Sequence, residues 1–172
     1  CSSDLTARVR DRDTPAFCRE GSEHPSARRF PVTGSGRQLG MYDPRTQVYQ
    51  TIDTCFGTHH LMFAMDDNNT LWTSGGGPVV GWLNTKQYLE TGDEQASQGW
   101  TPLILDTNGD GVRSEYVEPD QPVDPARDKR IAAGFYAVAP APDGSVWASS
   151  LGYPGAVIRL MPGERPEETA LA

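Results

Sequence analysis

The sequence lacks the features that would place it in a membrane or on a nucleic acid. It contains no run of 18 apolar residues, so no transmembrane helix is expected. It has no basic stripe either: the net charge is −8, and residues 41–172 carry eight basic residues against eighteen acidic ones. An acidic body argues against binding to nucleic acid or to anionic membrane surfaces. We therefore expect no nucleic-acid partner and no membrane insertion.

Motifs of several enzyme classes are also missing. The chain has no Gly-x-Ser-x-Gly elbow and no Ser–His–Asp order, so hydrolase chemistry has no support in the sequence. The glycine run Ser74–Gly77 is not followed by Lys or by a helix, which favours a tight turn over a phosphate-binding loop. No initiator Met and no signal-peptide pattern is visible. Cys1–Leu5 resembles translated sequencing adaptor, so we leave it out of the fold interpretation.

Turn-forming residues, in contrast, are abundant. The 172 residues include 18 Gly and 14 Pro, whereas hydrophobic residues make up only 37%. Short apolar runs separated by such residues are typical of an all-β protein. A chain of this length can form one domain with a sizeable core. The composition therefore predicts an all-β fold.

A pattern of strands and turns occurs twice. In residues 59–85, β-branched and aromatic runs are separated by Asp-Asn-rich and Gly-Pro-rich turns, and residues 136–162 repeat this order. Each stretch carries a Trp shortly after its first turn, at Trp72 and Trp147. The period is about 40 residues, which is typical of propeller blades built from four short antiparallel strands. A two-sheet sandwich is the alternative architecture.

The pattern divides the chain into three parts. Residues 1–36 form an irregular N-terminal arm, residues 37–162 a partial β-propeller with a long insertion at 86–130, and residues 163–172 a polar tail. The complete blade has strands at 60–65, 70–74, 79–83 and 101–106. Two or three blades leave open sheet edges and cannot close a ring. We therefore expect the partners of this chain to include the remaining blades of a longer protein.

The repeated units resemble a known propeller family. HLMFAMDDNNTLWTS, YAVAPAPDGSVWASS and LGMYDPRT are similar to the blades of streptogramin (virginiamycin B) lyase-like propellers. The resemblance implies a ring of six or seven blades in a secreted or periplasmic bacterial protein. The lyase of that family opens a cyclic depsipeptide by metal-assisted β-elimination, with a His as base. This chain has Asn68-Asn69 where that family usually has Asp-Gly.

In a propeller, the loops that precede strand A and those that join strands B and C meet at one face. Here that face gathers residues 54–60, 74–78, 106–134 and 150–154. His59 and His60 stand at the start of one strand A, and the matching place in the next blade holds an aromatic pair. The ligand-binding residues predicted for this face are His59, His60, Phe135, Tyr136 and Tyr153.

His60 is the candidate catalytic base. Successive residues of a strand point to opposite sides, so only one of His59 and His60 faces the channel. A His in that place can act as a base or as a metal ligand. The alternative is a His that only hydrogen-bonds a neighbouring loop.

The sharpest local motif is Asp-Thr-Asn-Gly-Asp-Gly at 106–111. It places oxygen ligands at alternate positions, as in the first half of a calcium loop. Asp106, Asn108 and Asp110 supply side-chain oxygens, and Val112 supplies a carbonyl. The twelfth position, where a bidentate acid is expected, is Val117, so we predict a short structural Ca²⁺ loop and not a helix–loop–helix site. An acidic turn without an ion is the alternative.

Cys18 and Cys55 allow three interpretations. They can form a disulfide that ties the arm to the blade, they can be free thiols, or they can join His24, His59 and His60 in a site for Zn or Cu. The spacing is not that of a zinc finger. A disulfide requires an oxidising compartment, in agreement with a secreted or periplasmic location.

The leading function from these features is binding of a small-molecule or peptide-like ligand at the channel face. One alternative is a carbon–oxygen lyase that acts by β-elimination, with His60 as base and a divalent metal such as Mg²⁺. The other alternative is a protein–protein interaction scaffold, which follows from propeller architecture by analogy alone.

Overall fold

The structure is a computed structural model that describes residues 14–34, 38–75, 77–113, 115–132, 134–163 and Pro166. The adaptor-like segment 1–5 lies outside the described residues, as does the tail apart from Gly163 and Pro166. Antiparallel sheets dominate the described chain, and only one of its three α-helices reaches seven residues. The predicted all-β class is therefore confirmed. Among the described residues, no helix has the length and apolar character needed to span a bilayer.

The first sheet is a hairpin of two strands, β1 (Gln38–Asp43) and β2 (Val48–Asp53). The strands pair antiparallel from Gln38 opposite Asp53 to Asp43 opposite Val48. The Asp43 carboxylate accepts a hydrogen bond from the backbone N–H of Arg45 at 2.8 Å, which folds the turn around Pro44. The hairpin lies at the start of the region 37–162 that the sequence predicted to be built of antiparallel strands.

The middle sheet has four antiparallel strands in sequential order. They are β3 (His60–Phe63), β4 (Thr70–Ser74), β5 (Val79–Asn84) and β6 (Gln98–Pro102). The first three agree with the predicted blade strands, whereas the fourth lies three residues before the predicted 101–106. The difference arises because two helices, α2 (Thr85–Thr91) and α3 (Glu94–Ser97), return the chain to the edge of β5.

Local sequence sets the limits of α2. The side chain of Asn84 accepts a hydrogen bond from the Gln87 N–H at 3.0 Å and so caps the first turn. Gly92 ends the helix in the left-handed conformation, with φ of 67°, and donates its N–H to the carbonyl of Tyr88. Both ends of α2 therefore follow from local sequence signals.

The acidic part of the insertion contains a small sheet that the sequence pattern did not predict. Strands β7 (Ile104–Leu105), β8 (Tyr116–Val117) and β9 (Asp128–Arg130) pair in the order β7-β9-β8. The strands have only two or three residues, too few to show an alternating pattern in the sequence. The residues between 86 and 130 therefore comprise two helices, the edge strand β6 and this small sheet.

The last sheet repeats the middle one with three strands, β10 (Phe135–Pro140), β11 (Val146–Ser150) and β12 (Ala156–Leu160). Its first hairpin turns at Gly144, which has a φ of 84° that a side chain would disfavour. Asp143 accepts a hydrogen bond from the Ser145 N–H at 3.0 Å in the same turn. The turn chemistry of the predicted repeat is therefore present.

Both faces of the middle sheet are covered by other sheets. On β4, Leu71 packs with Leu39 of β1 and Ile52 of β2, whereas its neighbour Trp72 packs with β10, β11 and β12. Side chains alternate across a strand, so one strand contributes to two cores. The result is a stack of three sheets in chain order.

The described part of the N-terminal arm, residues 14–34, is ordered against the middle sheet. It contains a 3₁₀ turn at Ala16–Cys18 and a short helix, α1 (Pro25–Arg29), where the sequence predicted irregular chain. The backbone N–H of Trp100 donates to Ser26 Oγ at 3.0 Å, and the Trp100 indole N–H donates to the Phe30 carbonyl at 2.7 Å. The arm thus covers the outer edge of β6.

Close packing in the middle sheet gives a test of the strand register. An added Cβ at Gly81 would lie 2.0 Å from the Phe56 ring, so Gly81→Ala is expected to cost about 1–3 kcal/mol of unfolding free energy. The matched control is Gly77→Ala, where an added Cβ meets no atom within 4 Å. Urea denaturation measures both free energies, and equal stabilities for the two variants would contradict the register of β5.

Candidate functional site

Three sheets bring the starts of their first strands to one edge of the molecule. His60 pairs with Ser74 at the start of β3, and Phe135 pairs with Ser150 at the start of β10. Ser74 Oγ donates a hydrogen bond to the Tyr136 carbonyl at 2.6 Å, which joins the middle and last sheets. Thr58 donates to the carbonyl at the start of β1 at 3.3 Å. Of the loops predicted to share one face, these contacts bring together those near residues 58–60, 74 and 150.

A cluster of three rings lies at this edge. The ring centroids of His59 and His60 are 4.3 Å apart, and those of His60 and Tyr136 are 4.7 Å apart, both with edge-to-face geometry. His59 also contacts Tyr136, with centroids 5.3 Å apart. We call these three residues the His–Tyr cluster. It combines residues from two sheets whose sequence positions are more than 70 apart.

The two imidazoles of the cluster have different environments. His59 is exposed, and its backbone N–H donates to the Ser74 carbonyl at 2.6 Å. His60 is half-buried, and its Nε2 is buried without a hydrogen-bond partner among the described residues. A buried polar atom without a partner is rare in folded proteins and marks a place where a ligand or water can supply one. His59 and Tyr136 therefore offer ring edges and hydrogen-bonding atoms at the accessible surface, whereas His60 Nε2 lies beneath it.

Phe135 and Tyr153 were also predicted for the ligand face, but neither belongs to the His–Tyr cluster. Phe135 is 1% exposed and packs in the core between the middle and last sheets, so it does not contact a ligand at the surface. The correction follows from strand alternation: Tyr136 is 41% exposed and points away from that core. Tyr153 lies fully exposed in the loop after Ser150, and the ring contacts of the described residues do not include it.

The predicted calcium loop is folded by its own side chains. Asp106 accepts hydrogen bonds from the N–H groups of Gly109 at 2.7 Å and Gly111 at 2.8 Å. Asp110 accepts one from the Val112 N–H at 2.8 Å, and Asn108 accepts one from the Asp110 N–H at 3.0 Å. These bonds draw the three side chains around one turn. Each carboxylate oxygen has a second lone pair, so the geometry is compatible with an added cation.

The described residues contain no group of three or more His, Cys, Asp or Glu side chains placed to hold a metal ion. The predicted calcium loop contributes only two carboxylates to such a count, from Asp106 and Asp110, because Asn108 carries an amide. The His–Tyr cluster supplies two imidazoles and one phenol.

The cysteines form a disulfide, which removes them as metal ligands. The Cys18–Cys55 S–S distance is 1.96 Å, and the Cα atoms are 5.4 Å apart. Of the three interpretations left open by the sequence, the structure has the one that ties the arm to the chain before β3. The five-residue Zn or Cu cluster is thus contradicted, because a bridged sulfur carries no thiolate.

His24 has a structural place that the sequence did not predict. Its ring stacks on Trp100 with centroids 4.7 Å apart. Its Nδ1 accepts the Ser26 N–H at 3.2 Å, so Nε2 carries the proton and donates toward the carbonyls of Gln95 and Gln98. Trp100, in the middle of β6, is 0% exposed beneath this ring. Gln95, Gln98 and Trp100 lie more than 70 positions after His24 in the sequence, so no local pattern predicts their contacts with it.

The fold and the site define an all-β protein of stacked antiparallel sheets, with a His–Tyr cluster where the sheets meet. Comparisons with protein-family models, with curated proteins and with solved structures found no match. The resemblance to streptogramin lyase-like blades therefore stays a prediction from the repeated residues.

The disulfide gives the second testable prediction. The double variant Cys18→Ala/Cys55→Ala is expected to lose about 4 kcal/mol of unfolding free energy, because the bridge closes a loop of 37 residues in the unfolded chain. Urea denaturation measures the loss, and adding reductant should lower the stability of the wild type but not that of the variant. Thiol counting in denaturant without reductant should find one free thiol among the three cysteines. Three free thiols would contradict the bridge.

Proposed function

We propose that this chain is part of a β-propeller that binds a small-molecule or peptide-like ligand at the His–Tyr cluster. The observation that carries the proposal is the meeting of His59, His60 and Tyr136 from two sheets at one accessible edge. In a propeller, loops at the ends of the first strands form the usual binding face. The proposed location is secreted or periplasmic, because a buried disulfide forms and persists in an oxidising compartment.

The stack of sheets supports the propeller part of the proposal. Trp72 and Trp147 hold the same place in the repeat, yet Trp72 is 4% exposed and Trp147 is 42% exposed. The difference arises because the last sheet covers Trp72, whereas no described sheet covers Trp147. A further blade on the last sheet would give Trp147 the surroundings of Trp72. The same open face supports the second candidate, a protein–protein interaction scaffold.

The enzyme alternative makes stricter demands on the same edge. A lyase that acts by β-elimination needs a base to remove a proton next to a carbonyl, and His60 has the ring type and position for that role. Mg²⁺ in the lyase role prefers oxygen ligands in octahedral geometry, and the His–Tyr cluster supplies two imidazoles and one phenol. The described residues thus fit ligand binding better than metal-assisted elimination.

The binding site can be tested with histidine signals in NMR. Titration of a ¹³C-histidine-labelled chain with a streptogramin-type cyclic depsipeptide, and with linear peptides, is expected to shift the His59 and His60 signals saturably. His24 is an internal control, because it is 5% exposed and held by its own hydrogen bonds. The same samples, incubated with Mg²⁺, test the lyase: β-elimination opens the ring to a linear isomer of unchanged mass.

Two variants locate the site. His60→Ala and Tyr136→Ala should each weaken binding roughly tenfold or more, as expected when a central aromatic or hydrogen-bonding contact is lost. Tyr49→Ala is the matched control, because Tyr49 is similarly exposed, at 52%, on the far strand β2. Binding that survives in both cluster variants would place the ligand elsewhere. Ring opening that persists in His60→Ala would remove His60 as the base.

We also propose a structural Ca²⁺ in the loop of Asp106, Asn108 and Asp110, with the Val112 carbonyl as a further ligand. Ca²⁺ at about 100 times its dissociation constant should stabilise the chain by about 2.7 kcal/mol relative to chelator. Asp110→Asn should abolish the response, since it keeps an acceptor for the Val112 N–H but removes the charge. Asp124→Asn is the matched control, because Asp124 accepts the Ala126 N–H in an equivalent turn at 2.9 Å. Equal thermal melts with Ca²⁺ and chelator would remove the ion from the proposal.

A further inference from the structure

A cavity of about 690 Å³ lies between the middle and last sheets, at the end opposite to the His–Tyr cluster. It is lined by the turn that follows β3 and by the turn that follows β10, whereas the cluster lies at the starts of these two strands. Among the described residues that line it, none belongs to the predicted ligand face or to the calcium loop. Its volume is in the range of cavities that hold small molecules.

One wall of this cavity is a pair of tryptophans. Trp82 of β5 is half-buried, and its ring centroid lies 5.3 Å from that of Trp72, which is 4% exposed. An added Cβ at Gly99 of β6 would lie 2.3 Å from the Trp82 ring, so this ring also rests against the backbone of β6. A ring held in this way loses little freedom when a ligand binds. The face of an indole attracts cations more strongly than the face of any other aromatic side chain.

The charged groups of the lining are carboxylates. Asp66 and Asp143 line the cavity, and the described lining residues include no Lys, Arg or His. Arg159 offsets the charge of Asp143 through an ion pair at 3.1 Å. Asp66 accepts the Thr70 N–H at 2.9 Å and forms no ion pair with a basic side chain in the part of the chain that the structure describes. One negative charge at the cavity therefore has no ion-pair partner there.

We propose that this cavity is a binding site for a small organic cation with one ammonium group and an apolar body. The ammonium group contacts the Trp82 ring and the Asp66 carboxylate, and the apolar body packs against Val146 and Met161, which also line the cavity. An anion would meet only carboxylates among the charged groups of the lining. The site is separate from the His–Tyr cluster and does not depend on the function proposed for it.

The test uses the full chain, with benzyltrimethylammonium and choline as probes. Each is titrated by calorimetry at pH 7 and constant ionic strength, and each is expected to bind saturably with a stoichiometry of one. The control ligand is the neutral tert-butyl analogue of choline, in which carbon replaces the ammonium nitrogen. It keeps the shape of the probe but loses its charge, so it should bind roughly tenfold more weakly than choline.

Indole signals in NMR locate the bound probe. In a chain labelled with ¹⁵N-tryptophan, the Trp82 indole signal is expected to shift during the titration. Trp100 and Trp147 are internal controls, because Trp100 is 0% exposed and neither residue lines the cavity. The His59 and His60 signals should stay unchanged, so binding here and binding at the His–Tyr cluster are distinguishable.

Matched variants assign the binding to the cavity. Asp66→Asn keeps an acceptor for the Thr70 N–H but removes the charge, and it should weaken binding roughly threefold. Asp67→Asn is the control, because Asp67 is the next residue and is also exposed but does not line the cavity. Trp82→Leu should weaken binding roughly tenfold. If Trp82→Leu fails to fold, Asp66→Asn and the neutral analogue decide the matter.

Any of four results would overturn the proposal. They are no saturable binding of either ammonium probe, equal affinity for choline and its neutral analogue, equal weakening by Asp66→Asn and Asp67→Asn, or an unchanged Trp82 indole signal at saturation. Loss of ligand binding in the variants of the His–Tyr cluster would leave this proposal unaffected, since those variants do not alter the lining of the cavity.

Discussion

The structure depends on covering both faces of the middle sheet. A strand in such a sheet must place apolar side chains on its two sides, because each side meets a different neighbour. Thr70–Ser74 is buried at every position, with Leu71 directed to the first hairpin and Trp72 to the last sheet. Removing either neighbour would expose a whole face of apolar groups.

Edges impose a second constraint, and the N-terminal arm meets it. β6 is the outer strand of the middle sheet, and an open edge invites pairing with other chains. The arm covers this edge through Ser26, Phe30 and the stacked His24, and the Cys18–Cys55 bridge fixes the arm to the segment that precedes β3. That segment continues directly into His59 and His60. The covalent tie that protects the edge thus also fixes the approach to the His–Tyr cluster.

The sequence predicted most of the strands because their signals are local. The Asp-Gly turn, the Trp that follows it and alternating apolar residues identified the strands from Phe135 to Leu160, and the Asp-Pro turn identified the hairpin from Gln38 to Asp53. The capped helix from Asn84 to Gly92 was predictable for the same reason. The position of β6 was not predictable from local signals. Whether residues 98–102 or 101–106 form this strand depends on where α2 and α3 return the chain to the edge of β5. The small sheet was missed because its strands are too short for a pattern.

By itself the sequence determined the all-β class, the repeated unit, the turn residues and the proximity of His59 and His60 to the start of a strand. It also drew attention to Tyr136 as the matching residue of the next repeat. Only the tertiary structure decided that Phe135 is core while Tyr136 is surface, that the cysteines are bridged and that turns of two different sheets line one cavity. The physical reason is range: hydrogen-bonded turns and strand alternation act within a few residues, whereas burial, bridging and cavity formation depend on segments that meet only after the chain has folded.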